Sequence, residues 1–283
     1  MSSASEPCAG ELWIVATPLG NPGDLSFRAR EALRLADGVL AEDTRRAGLL
    51  LAACGLRGVR LIRLHEHNEE ESLPALLEEL SQGRKLALVS DAGTPLLSDP
   101  GYKLVRACRL RGHKVTPLPG PCAVPAALCA SGLPPQPFIF LGFPPRRAGE
   151  REKFFSPFVS LPLTLVFFER RDRLRGLLEQ LYRLGGRREI CLARELTKIH
   201  EEFIFFTLGD FGRFPEGLLG EITVVAGPPL ETIRPEKEKV LSLIAGARRE
   251  GGDGLKPREL ARRVREQAPG WDSGSIYKLL SGE

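Results

Sequence analysis

The chain alternates short apolar runs with polar, turn-rich segments, and the spacing switches between strand and helix periods. Leu12–Ala16 is an apolar strand followed by the loop TPLGNPGD, after which Phe27, Leu33 and Ala36 recur at helical spacing. Val39–Ala41 is a short strand running into EDTRR, with Leu49–Ala53 on the next helix. Leu61–Leu64 is a strand ending in HEHNEE, and Leu76, Leu77 and Leu80 line a helix closed by Gly83. Leu86–Val89 is a strand, and SDAGTPLLSDPG follows it. Val105 and Ala107 belong to a helix closed by Gly112; Val115–Leu118 is a strand leading into PGP; Ala123–Ala130 is a small-residue helix. Strands alternating with helices predict a mostly parallel sheet covered on both faces.

Gly132–Pro145, rich in proline and glycine, reads as a hinge. Beyond it, Leu163–Phe168, Ile190–Ala193, Phe203–Leu208 and Ile222–Ala226 are strands, and Leu174, Leu177, Leu178 and Leu181 form a helical stripe. From Pro235 the chain becomes basic, helical and nearly strandless. The expected organisation is therefore an N-terminal α/β domain over 1–132, a hinge over 133–145, a second, more mixed α/β domain over 146–233, and a basic helical module over 234–283. Two readings stand for that module: a nucleic-acid docking element or a solvated helical cap.

In an open parallel sheet, ligands bind beyond the carboxyl ends of the strands. Those ends carry TPLGNPGD, AEDTRR, HEHNEE, SDAGTPLLSDPG and PLPGPC, five loops rich in Gly, Pro and polar residues. Proline fixes φ and glycine permits close approach, so backbone N–H and C=O groups are presented at fixed positions, as a flat ligand such as an adenosine needs. Neither a phosphate-binding G-x-x-x-x-G-K-[ST] nor a dinucleotide-binding G-x-G-x-x-G follows the first strand.

Composition narrows the class. The 283 residues suit two domains, and a net charge of +4 permits an acidic partner without demanding one. Six cysteines show neither a C-x-x-C pair nor regular spacing, which reads as reduced thiols with no zinc site. With no apolar run of spanning length and no leader in Met1–Gly10, the expectation is a soluble cytoplasmic protein.

The blocks IVATPLGNPGDLSFRAREAL, AEDTRRAGLLL, LHEHNE, LVSDAGTPLLSDPGYKLVRAC, PLPGPCAVPAAL, ARELTKIHEE and GEITVV resemble, in order, those of the tetrapyrrole-methylase-like (class III) S-adenosylmethionine-dependent methyltransferases. Within that superfamily they are similar to the branch that methylates a cytidine ribose 2′-oxygen in 16S ribosomal RNA of the small ribosomal subunit. The resemblance runs from Leu12 to about Gly227 and continues weakly through SIYKLL. It implies two α/β domains forming a cleft, S-adenosylmethionine as cofactor, a homodimer, and Pro18, Ser90, Asp91, Ala92, Thr94, Ala123 and Phe168 as cofactor contacts. Two departures stand out. Ser90-Asp91-Ala92 replaces the G-G-D-P block of the porphyrinoid enzymes, and Arg170 follows Phe167-Phe168-Glu169 where the family has a small polar residue.

Other residues carry two readings each. Asp91 either braces a turn or holds the cofactor's ammonium or ribose. Asp43 is either a helix start or a general base. Arg45 and Arg46 sit near the positive end of a helix, where phosphate ligation explains them better than helix stability. His65 and His67 alternate on a strand end, suiting nucleotide stacking or a structural hydrogen bond better than a metal. Arg194, Glu195 and Lys198 are either a surface ion-pair set or part of the site. The candidate bases for removing a proton from a ribose hydroxyl are thus Asp43, Glu195 and Lys198; the candidate RNA contacts are Arg45, Arg46, His65, His67 and Arg194. A class III enzyme acting on a tetrapyrrole, a diphthine-synthase-like enzyme acting on a protein side chain, and a non-catalytic RNA-binding protein remain as alternatives.

Overall fold

The first sheet is built from β1 (Glu11–Val15), β2 (Gly38–Ala41), β3 (Leu61–Arg63), β4 (Lys85–Val89) and β5 (Lys114–Leu118), in the order β3-β2-β4-β1-β5 with every neighbouring pair parallel. This computed structural model describes residues 10–214, 217–231, 236–251, 256–268 and 271–281. Register puts Leu12 opposite Leu86 and Val115. Because side chains alternate along a strand, the sheet has two apolar faces. Trp13, Val15, Val39, Ala41, Ala87 and Val89 pack against α1 (Phe27–Leu35) and α2 (Thr44–Ala53). Leu12, Leu40, Leu86 and Leu88 pack against α3 (Glu69–Ser81) and α4 (Tyr102–Leu110). This double coverage explains why β1, β2 and β4 read as nearly unbroken apolar runs. Caps fix the helix starts: Ser26 accepts from Ala29 N, and the buried Glu69 carboxylate accepts from Leu104 N at 2.9 Å in the first turn of α4. The small-residue helix α5 (Ala123–Ala130) follows β5.

The second sheet holds β6 (Phe138–Phe140), β7 (Thr164–Arg170), β8 (Arg188–Arg194), β9 (Glu202–Thr207) and β10 (Glu221–Pro229), in the order β6-β7-β10-β8-β9. It is mixed as expected: β6 runs parallel to β7, and β10 antiparallel to it. The segment 133–145 departs from a plain hinge, because Phe138–Phe140 hydrogen-bonds to Thr164–Val166 as an edge strand. Between these strands lie α6 (Ala148–Phe155) and α7 (Arg171–Gly185). The leucine stripe of α7 packs with Phe155, Phe167 and Ile222. Arg188 is fully buried among carbonyls, donating to Gly227 O at 2.6 Å and Val159 O at 2.5 Å, and burial lowers its pKa to about 10.

Residue contacts divide the chain into two units. One holds the described residues up to Ala130 together with Ala193–Phe203; the other holds Ser131–Leu192 and the described residues from Ile204 onward. The tail forms α8 (Lys237–Gly251), α9 (Pro257–Gln267) and α10 (Ser273–Ser281), joined by a core of their own containing Val240, Ile244, Leu260, Val264 and Ile276. Among the described residues no helix is long and apolar enough to cross a membrane, no group of side chains is arranged to hold a metal, and the five cysteines are free; Cys8 lies outside them.

Candidate active site

Since all five strands of the first sheet are parallel, the loops after them share one edge, and hydrogen bonds tie three of these together. Thr17, following β1, pairs with Gly93 through two backbone bonds of 2.8 and 3.0 Å. Its buried hydroxyl donates to Ser90 O at 3.1 Å. Ser90 Oγ donates to Gly93 O at 3.0 Å, and Thr94 Oγ1 to Pro121 O at 3.0 Å, reaching the loop after β5. Gly93 has φ +81°, and a Cβ there would meet Leu19 Cδ2 at 3.0 Å. Leu96 and Ser98 also hold positive φ, 71° and 77°, which side chains rarely adopt. Strain of this kind persists where the surroundings over-determine a loop, and it collects at functional sites.

Asp91 occupies the centre of this edge. Its Oδ2 accepts from Arg46 at 3.0 Å, while Oδ1 is buried with no partner among the described residues. A buried carboxylate oxygen without a donor is costly in isolation, and it fits the ammonium or hydroxyl of a bound cofactor. Pro18, Ser90, Ala92 and Thr94, expected to hold that cofactor, belong to the same unit and these loops, and Ala123 opens α5 directly after the loop that follows β5.

Asp99, at the end of the loop after β4, was not singled out from the sequence. Burial first, then the charges of Glu42 and Asp91, raise its carboxyl to about 7. A carboxyl poised there exchanges protons near neutral pH, as a general base requires. The available signal was its place in the quoted SDAGTPLLSDPG block.

In the loop after β2, Asp43 takes the helix-start role. Asp43 caps α2, accepting from Arg45 N at 2.9 Å and Arg46 N at 3.4 Å. The side chain of Arg45 and then its backbone N–H hold the Asp43 carboxyl down at about 2, which makes it a poor proton acceptor. Arg45 pairs with Asp43 at 3.1 Å yet keeps its side chain 89% exposed; Arg46 is engaged with Asp91.

The histidines do not alternate on a strand. β3 stops at Arg63, and His65 begins a turn: His65 N donates to Asn68 Oδ1 at 2.7 Å, and Asn68 N donates to His65 Nδ1 at 3.2 Å. His65 thus takes the structural role, with the exposed His67 ring edge-on at 6.0 Å.

Arg194, Glu195 and Lys198 lie in Ala193–Phe203, which groups with this unit. Asn21 N donates to Thr197 Oγ1 at 3.2 Å, and a side chain on Gly20 would overlap the Lys198 stem. Lys198 pairs with Glu195 at 3.1 Å and Arg194 with Glu202 at 2.7 Å; Glu195 and Thr197 hold φ of 50° and 64°. The segment is therefore seated against the loop after β1.

Residues 11–212 match the Tetrapyrrole (Corrin/Porphyrin) Methylases family. The "Ribosomal RNA small subunit methyltransferase I" of Mycobacterium bovis is 41% identical over 275 residues, covering 96% of this chain and 95% of that protein. The chain belongs to the tetrapyrrole methylase family, in the group of these small-subunit methyltransferases. The Haemophilus influenzae protein of the same description is 43% identical over 83% of this chain and 87% of its own. A solved uroporphyrin-III C-methyltransferase from Thermus thermophilus, complexed with S-adenosyl homocysteine, superposes with a TM-score of 0.55 at 20% identity, over 76% of this chain and 97% of that one. That likeness shows the tetrapyrrole methylase fold.

The remaining residue expected to contact a cofactor lies in the second unit. Phe168, on β7, stacks edge-on with Phe140 at 5.0 Å and lies 5.3 Å from the exposed Phe143. Arg170, where the family has a small polar residue, pairs its guanidinium with Asp172 at 3.1 Å in the first turn of α7.

Proposed function

We propose that this methyltransferase uses S-adenosylmethionine to methylate the ribose 2′-oxygen of a cytidine in 16S ribosomal RNA, as a homodimer in the cytoplasm. The observation that carries the chemistry is one sheet edge bearing the orphaned buried carboxylate oxygen of Asp91, with the Asp99 carboxyl later in the same loop. Pro18, Ser90, Asp91, Ala92, Thr94, Ala123 and Phe168 would hold the cofactor, whose sulfonium supplies an already activated methyl group. The protein's own work is alignment and proton removal. Asp99 accepts the 2′-hydroxyl proton, since its basicity suits neutral pH better than that of Asp43. Glu195 and Lys198 hold each other and place their loop. Arg45, with its guanidinium in solvent, meets RNA phosphate, and Arg194 and His67 line its approach. A 2′-hydroxyl acceptor also selects RNA over DNA.

Radiolabelled methyl transfer to small ribosomal subunits, followed by nuclease mapping, tests this reading. Label resistant to alkali at a single cytidine is the expected result. Transfer to a tetrapyrrole or a protein instead, or no cofactor binding by calorimetry, overturns it.

A further inference from the structure

The C-terminal helices carry a feature that neither the fold nor the methyl-transfer site uses. α9 buries Leu260, Ala261 and Val264 in the core it shares with α8 and α10, so its inward face is fully occupied. Arg258, Arg262 and Arg265 lie at i, i+4 and i+7, all exposed, and so form one row along the helix. None forms an ion pair with a described residue. Glu259 follows Arg258 by one position and points about 100° away. Like charges at this spacing destabilise a helix, and Glu259, three positions before Arg262, forms no ion pair with the row. On α10, Gly274, Tyr277, Lys278 and Ser281 repeat at i, i+3, i+4 and i+7 as a second exposed row without an acidic residue. Asp272, the nearest carboxylate, is taken up in capping α10 through Ser275 N at 2.8 Å and Ser275 Oγ at 2.6 Å.

We infer that the Arg258–Arg262–Arg265 row of α9 is a docking surface for the phosphate backbone of the RNA substrate. Three planar guanidiniums rising about 6 and about 4.5 Å along the helix axis match a run of neighbouring phosphates on one strand, each of which accepts paired N–H donors. The following helix exposes a further ring and cation, Tyr277 and Lys278. The inference rests on the proposed RNA substrate and adds a contact outside the loops that carry the chemistry.

The test uses the full chain with R258Q/R262Q/R265Q and, in parallel, R258K/R262K/R265K, on small ribosomal subunits at several salt concentrations. Losing three phosphate contacts should raise KM for RNA roughly tenfold near 0.1 M salt and flatten the log–log salt dependence by about 3. Cofactor affinity by calorimetry and kcat at saturating RNA should match the unsubstituted protein, and the lysine variant should recover most of the loss. A glutamine variant with unaltered KM and salt slope overturns the docking surface, as does equal loss in both variants, which would show a packing effect. Failure of the unsubstituted protein to methylate RNA would instead strike the functional reading.

Discussion

Asp99→Asn removes the charge of Asp99 while keeping its shape, and the structure sets both the sign and the size of the effect. The folded chain keeps a proton on Asp99 up to about pH 7, whereas the unfolded chain releases it near the ordinary 3.8. Folded molecules therefore bind more protons across roughly pH 4 to 7, and the stability of the unsubstituted protein falls as pH rises through that window. Below it the two proteins should be alike; above it the variant should be the more stable. A carboxyl held at about 7 sets a ceiling of about 4 kcal/mol. Asp99 is only partly buried, and solvent screening brings the expected gain to about 2 kcal/mol. Urea unfolding of both proteins at pH 5 and pH 8 measures the difference, and methyl transfer should fall by two orders of magnitude or more if the carboxyl takes the proton. A stability difference that does not change between the two pH values would refute the argument that burial and the Glu42 and Asp91 charges act on this group.

Asp91→Ala should abolish S-adenosylmethionine binding in calorimetry with the melting curve preserved, because the orphaned Oδ1 is lost and no core side chain is touched; retained affinity removes Asp91 from the cofactor site. Arg46→Gln frees Asp91 Oδ2 and should weaken cofactor affinity severalfold, measured the same way; unchanged affinity would reduce the pair to a surface contact. Gly93→Ala puts a side chain at φ +81° against Leu19 and should cost about 1–3 kcal/mol in urea unfolding; an undiminished midpoint would show that the loop yields.

The strands β1, β2 and β4 were legible because both faces are buried, so each appears as a nearly solid apolar run between turn residues; β3 and β5, at the sheet edges, carry exposed positions and a weaker signal. The edge strand Phe138–Phe140 was hidden among prolines and glycines, being three residues long and paired on one side. Helical spacing also promised too much in places: Phe27 is 90% exposed and Leu49 74%, although both sit on helices. Period alone marks a helix; it does not say which apolar positions find a partner. The loops carrying Ser90, Asp91 and Thr94 were visible as composition, whereas the basicity of Asp99 depends on Glu42, far away in sequence, and on burial. The Asn68 side chain that accepts from His65 N, and the Asn68 N–H that holds the His65 ring, are likewise contacts that no strand periodicity contains.

The placement of Ala193–Phe203 with the first unit has a consequence for heredity. A crossover that exchanged only residues up to Ala130 with a relative would import a loop after β1 without the segment on which it rests. The Asn21–Thr197 bond and the space at Gly20 that admits the Lys198 stem would then join halves of different ancestry. These two stretches, more than 170 positions apart, must therefore match one another, and a side chain at Gly20 requires the Lys198 stem to move aside.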